Sequence, residues 1–223
     1  MKDDTRKVCM VIGAGPGIGQ AVAFAFAHEG FDVAMVARRP ERMAAAADLI
    51  NKKTGRQVRT YAADAGDETS LKSAFARVRR AMGEIEVMVY NVATTEAARP
   101  TTLTTARLID EFNINVAGAL VAAREAARGM RKLQRGTLLF TGGSFAYEPA
   151  TDYASLSLGK AALRNLTFSL AQELGIDGIH VATVTVYGFV QANTQFDPNR
   201  IAQAFVKLQR QPKGHFDLEI VYK

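Results

Sequence analysis

Val8-Cys9-Met10-Val11-Ile12-Gly13-Ala14-Gly15-Pro16-Gly17-Ile18-Gly19-Gln20-Ala21-Val22-Ala23-Phe24 is the stretch on which the fold turns. Its first five residues are all apolar and suit a short strand buried on both faces. Four glycines in seven residues then interrupt any regular element, and Gln20–Phe24 is good helix-forming sequence. Glycines let such a turn take positive φ, let the backbone approach a phosphate closely, and let the helix pack on the strand. The helix start adds unpaired N–H groups and the positive end of its dipole. A glycine-rich turn alone is a weak signal; its place between strand and helix gives it force. Gly13, Gly17, Ile18 and Gly19 are predicted to line the pyrophosphate of a dinucleotide.

Outward from this turn, apolar runs alternate with amphipathic stretches. Strands are expected at Val8–Ile12, Val33–Ala37, Val58–Ala62, Val87–Val92, Thr137–Thr141, Val181–Val186 and Leu218–Tyr222. Helices are expected near Gly17–Glu29, Pro40–Lys53, Glu68–Met82, Thr105–Arg131, Asp152–Leu174 and Asn199–Gln209. Strands separated by helical segments of this length need crossover connections, which make neighbouring strands parallel. The fold class is therefore α/β: a three-layer Rossmann fold with a parallel sheet of about seven strands and helices on both faces. No repeat, low-complexity tract or Pro/Gly/Ser-rich linker divides the chain, so one domain over residues 1–223 is expected.

Composition narrows the function. Hydrophobic residues make up 48% of the 223, and no apolar run reaches the roughly 18 to 20 residues a membrane span needs. The charged start Met1–Lys7 carries no signal-peptide core, which predicts a cytoplasmic protein without membrane partners. Cys9, the only cysteine, excludes an internal disulfide or a multi-cysteine metal site and is expected in the core. His28, His180 and His215 have no short metal-ligand spacing, and no metal is assigned. The net charge of +6 is spread along the chain without an arginine-rich tail, so nucleic acid is not an expected partner.

The end of the second strand bears on which dinucleotide is bound. Sites for NAD usually carry an acid there that accepts hydrogen bonds from the ribose 2′-OH. This chain has Ala37, followed by Arg38 and Arg39. A guanidinium fork grips a 2′-phosphate that an acid would repel. NADP(H) is favoured over NAD(H), with Arg38 the better candidate of the two arginines.

Further motifs follow in order. Gly13-x-x-x-Gly17-x-Gly19, Asp64 after the third strand, Tyr90-Asn91-Val92-Ala93 after the fourth, Asn115-Val116-Ala117-Gly118, Lys160-Ala161-Ala162-Leu163 and Tyr187-Gly188 resemble the successive marks of the short-chain dehydrogenase/reductase family. The resemblance covers nearly the whole chain. It implies that Asp64 meets the adenine, Asn91 the adenosine side and Lys160 the nicotinamide ribose. It also implies hydride exchange with a small-molecule carbonyl or alcohol, and a homodimer or homotetramer paired through the two long helices Thr105–Arg131 and Asp152–Leu174. The family's catalytic groups are Ser, Tyr, Lys and Asn, with the tyrosine as general acid/base. Asn115 and Lys160 match. The tyrosine position, four residues before Lys160, holds Leu156, and the serine position holds Gly143, with Ser144 one step later.

Three readings stay open. Tyr153 or Ser144 could replace the missing groups, with Tyr147 on the same loop a further candidate. Tyr153 lies seven residues before Lys160; if both are helical they share a face, about 10 Å apart along the axis. Hydride transfer could instead proceed without a tyrosine acid, or the chain could be a catalytically inactive NADP(H)-binding sensor or interaction protein. The resemblance implies that Gly188–Phe196 forms a brief lid before a helix start at Asp197-Pro198; Phe189 and Phe196 would cover a small or open pocket or, the favoured alternative, pack against the sheet. No residue names the substrate.

Overall fold

The structure, a computed structural model, describes residues 6–223; the charged start at residues 1–5 lies outside the described residues. Seven strands form one sheet in the order β3-β2-β1-β4-β5-β6-β7, and every adjacent pair is parallel. They are β1 (Val8–Ile12), β2 (Asp32–Ala37), β3 (Val58–Ala62), β4 (Ile85–Tyr90), β5 (Gly136–Gly143), β6 (Ile179–Val186) and β7 (Glu219–Tyr222). Central strands β1 and β6 are buried along their whole length, whereas the edge strands β3 and β7 are largely half-buried or exposed. This is the burial expected of a parallel sheet covered on both faces.

Side-chain alternation divides β1 between two cores. Val8, Met10 and Ile12 face α3 (Glu68–Met82), α5 (Gly118–Leu133) and α6 (Ala154–Gly175), where Phe75, Met130 and Leu163 are buried. Cys9 and Val11 face α1 (Ile18–His28), α2 (Ala44–Thr54) and α7 (Pro198–Gln209), with Phe26, Ile50 and Phe205. Cys9 is fully buried, as expected, and burial pushes its thiol pKa up. No helix among the described residues is long and apolar enough to cross a membrane.

Several boundaries differ from expectation. The strand expected at Val87–Val92 runs from Ile85 to Tyr90. The expected helix Thr105–Arg131 is α4 (Thr105–Phe112), a π-helical turn (Asn113–Ala117) and then α5. Its cause is tertiary: the buried Tyr90 hydroxyl donates to the Ile114 carbonyl at 2.5 Å and occupies a backbone acceptor inside the turn. Residues Pro40–Met43 form a 3₁₀ turn ahead of α2. The helix expected from Asp152 begins at Ala154, leaving Tyr153 at its N-cap.

Candidate functional site

Strands β1 and β4 are neighbours, but the chain leaves them in opposite directions across the sheet. The crevice outside their C-terminal ends is a topological switch point, where open α/β sheets bind ligands. The glycine turn lies there. A Cβ on Gly13 (φ +83) would meet the Asn91 carbonyl at 2.8 Å, and one on Gly19 would collide with the Gly13 carbonyl oxygen. Only glycine allows this approach of turn, helix and β4. The Gln20 and Ala21 N–H groups donate back to Gly15 and Gly17. Among the described residues the Gly17, Ile18 and Gly19 N–H groups find no acceptor, which leaves them free for an anion.

Besides a cavity lined by Gly17, Gln20 and Pro198, two others border the turn. The first, about 260 Å³, is walled by Gly13, Gly15, Arg38, Asp64, Asn91 and Ile114. Arg38 is exposed and makes no ion pair among the described residues, and neighbouring Ala37 presents no carboxylate. Arg39 caps the following 3₁₀ turn and does not line the cavity. Asp64 is exposed; one carboxylate oxygen accepts from Gly66 N–H at 2.9 Å, and the other has no partner among the described residues. Sterics, free N–H groups and an unpaired guanidinium therefore fit a dinucleotide carrying a 2′-phosphate.

The second cavity, about 460 Å³, shares Asn91 and Ala93 with the first. Ile18, Gly143, Ser144, Tyr153, Leu156 and Lys160 are in its wall. Asn91 is also a strut: its Nδ2 donates to the Gly13 carbonyl at 3.0 Å, while its Oδ1 accepts from Thr141 Oγ1 at 2.8 Å. That ties the turn, β4 and β5 together. Lys160, on α6, donates from Nζ to the Thr141 carbonyl at 2.6 Å, and burial lowers its pKa from 10.5 to about 8. A Cβ on Gly143 would stand 3.6 Å from Lys160 Cε, in ordinary contact, so a side chain there would reach the lysine.

Asn115 lies in the π-helical turn and is almost fully buried. Its Oδ1 accepts from Thr94 N–H at 2.9 Å and its Nδ2 donates to Thr94 Oγ1 at 3.0 Å. Thr94 Oγ1 also donates to Glu111 Oε2 at 3.2 Å. Burial opposes ionisation of Glu111, but the Arg107 guanidinium and the nearby Ser155 and Thr94 hydroxyls together outweigh it and hold its carboxyl below the usual range. Asn115 packs on Gly159, next to Lys160, but does not line the second cavity. Its side chain holds the loop after β4 through Thr94.

Three further expectations change. Tyr153 lines the cavity but precedes α6, with φ −131 and ψ 48, so the helical phase that put it on the face of Lys160 does not apply. Its ring stacks on Phe145, centroids 5.9 Å apart. Tyr147 turns away from the cavity and donates to Glu219 at 2.6 Å. Phe196 packs on the core as expected, but Phe189 is 89% exposed at the cavity mouth. The partners Thr94 and Thr141 escaped the sequence reading. For Thr141 a signal existed, a polar residue closing the apolar run Leu138–Phe140; for Thr94 there was none.

Known proteins share this architecture. The family model for short chain dehydrogenases matches residues 7–200. The 2,3-dihydro-2,3-dihydroxybenzoate dehydrogenase of Bacillus subtilis (strain 168) is 32% identical over 173 residues, which cover 75% of this chain and 64% of that protein. The match thus spans less than two thirds of that relative. A short-chain dehydrogenase from Rhodopseudomonas palustris superimposes with TM-score 0.87 at 27% identity over 96% of each chain. A metagenomic short-chain oxidoreductase in complex with NADP gives TM-score 0.88 at 26% identity over 96% of each chain. With its parallel sheet, its glycine turn at the switch point and a family match over most of its length, the chain belongs to the short-chain dehydrogenase family.

Proposed function

We propose that this protein is an NADP(H)-dependent oxidoreductase that exchanges hydride with a carbonyl or alcohol carbon of a small molecule held in the second cavity. The observation that carries the reading is that two neighbouring cavities, one walled by Arg38 and Asp64 and the other by Ile18 and Lys160, share Asn91 and Ala93 beside the glycine turn. On this reading Arg38 grips the 2′-phosphate, Asp64 meets the adenine, Gly13 to Gly19 hold the pyrophosphate and Lys160 faces the nicotinamide ribose. The bound cofactor supplies or accepts the hydride. The NADP complex of the metagenomic relative agrees with the choice of cofactor.

The substrate wall is mostly apolar, with Ile18, Leu156, Val186, Phe189 and Val190 around Lys160. That suits a largely apolar substrate, with Lys160 the one charged side chain in the wall. We read residues 1–223 as one cytoplasmic, dinucleotide-binding unit that assembles through the apolar faces of α4 and α6. A second reading, a catalytically inactive NADP(H)-binding protein, is favoured by Leu156 and Gly143 at the vacated catalytic positions. Fluorescence titration with NADPH and NADH, followed by turnover assays on carbonyls and alcohols, separates them. Micromolar NADPH binding with turnover supports the enzyme, binding without turnover the second reading, and no binding refutes both.

A further inference from the structure

We propose that Lys160 is itself the general acid and base of the reaction, giving its ammonium proton to the carbonyl oxygen in reduction and taking it back as the neutral amine in oxidation. This rests on the oxidoreductase reading above. One helical turn before Lys160 stands Leu156, and the lysine stem runs along Gly143, which has no side chain. No hydroxyl from either position therefore intervenes at the amine. An ammonium has three donors, and among the described residues only the bond to the Thr141 carbonyl uses one of them.

Other titratable groups near this helix are occupied or misplaced. Tyr153 lines the same cavity but is stacked on Phe145 and forms no hydrogen bond with Lys160. Glu111 is held by Arg107 at 2.6 Å. Glu219 on β7 is held by Arg164 of the same helix at 2.9 Å and accepts from Tyr147 at 2.6 Å. Tyr187, beyond β6, lies under the Lys223 amine. No carboxylate stabilises the charged form of Lys160, and burial brings its pKa down to about 8. An amine titrating there exchanges protons readily near neutrality.

The step balances. As the hydride of the reduced nicotinamide reaches the carbonyl carbon, the π electrons of C=O move to oxygen. The Lys160 N–H bond then breaks and its proton joins that oxygen. The carbonyl gains the two electrons that the nicotinamide loses, and the neutral amine regains a proton from solvent through the open cavity.

Competitive acetylation of the wild-type protein from pH 6 to 11, read by mass spectrometry of the Lys160 peptide, reports this amine whether or not turnover occurs. In parallel, kcat is measured against pH with NADPH and 2,2,2-trifluoroacetophenone, an uncharged ketone. The expected labelling midpoint lies near pH 8, and kcat for reduction falls about tenfold per pH unit above it. Lys160→Arg keeps the cation but does not release its proton. It is expected to lower kcat at least ~100-fold and to remove the break. A midpoint above pH 10, or a break that survives in Lys160→Arg, overturns the proposal and leaves the oxidoreductase reading standing. NADPH binding without ketone turnover, despite a midpoint near pH 8, overturns that reading and the proton-donor role with it.

Discussion

Replacing Lys160 by Met tests the electrostatics of the site without any ligand. The amine has a pKa of about 8 in the fold against 10.5 for an ordinary lysine, and the cause is burial. A difference of about 2.5 units, at ~1.36 kcal/mol each, makes the buried charge destabilising by about 3 kcal/mol. The sign follows from proton counting. Between pH 8 and 10.5 the unfolded chain holds more protons on this group than the folded one, so stability rises with pH through that window. Below pH 8 the whole penalty is present. Methionine has similar length and no charge, but it forfeits the hydrogen bond to the Thr141 carbonyl, worth about 1 kcal/mol. Lys160→Met should therefore be about 2 kcal/mol more stable than wild type at pH 7. Its advantage should vanish by about pH 10. Urea denaturation of both proteins at pH 7, 8.5 and 10, with equal m-values, measures it. A variant less stable at pH 7, or a difference that ignores pH, would refute the claim that a charged amine is buried there.

Other consequences are as direct. Arg38→Ala removes the unpaired guanidinium beside the first cavity and should weaken NADPH binding roughly 10- to 150-fold, as expected for a charged hydrogen bond of about 1.5–3 kcal/mol, with NADH unchanged. Fluorescence titration decides it, and an unaltered preference for NADPH would remove the basis of the cofactor assignment. The double variant Gly143→Ser with Leu156→Tyr restores the hydroxyls the family uses, and position 143 has room for a Cβ. If no residue of the wild type supplies the proton, its ketone reduction should rise about 10²- to 10⁴-fold; if Lys160 already supplies it, the gain is only the advantage of tyrosine over lysine, and no rise in either case would show that these are not the vacated positions. Leu158 is 52% exposed between cavities walled by Leu108, Ile109 and Phe112. If this face joins copies of the chain, Leu158→Glu yields a monomer by light scattering where the wild type is larger; a monomeric wild type at micromolar concentration would refute self-association.

How legible the protein was depends on the range of the forces involved. The strand–turn–helix at Val8–Phe24 was readable because burial on both faces and the glycines' steric demands are written in adjacent residues. The sheet followed because each apolar run is separated from the next by a helix long enough for a crossover. The misread positions answer to contacts far along the chain. Asn113–Ala117 has no helix breaker, and its π turn comes from Tyr90, some 24 residues away. The fourth strand starts at Ile85 and includes Glu86, which pairs with Arg135. Asp152 is a residue type that starts helices, yet it pairs with Arg99, and the backbone of Tyr153 stays non-helical and bridges Ala98.

Several of these departures gather around the second cavity. Tyr153 and the exposed Phe189 border the second cavity, as do Gly143, Leu156 and the uncompensated Lys160. Asn115, carried by the π turn, packs on the glycine beside that lysine. Elsewhere propensity, patterning and packing agree, and local rules usually fail where a site imposes demands of its own. A buried amine without a counterion lowers stability by about 3 kcal/mol at neutral pH, and the fold supplies only a backbone carbonyl in return. What the protein leaves unsatisfied is a cation in the wall of a largely apolar cavity, next to a second cavity that has a free guanidinium in its wall. The two charges stand in cavities that share Asn91 and Ala93, and a ligand that engages both must be long enough to reach from Arg38 to Lys160.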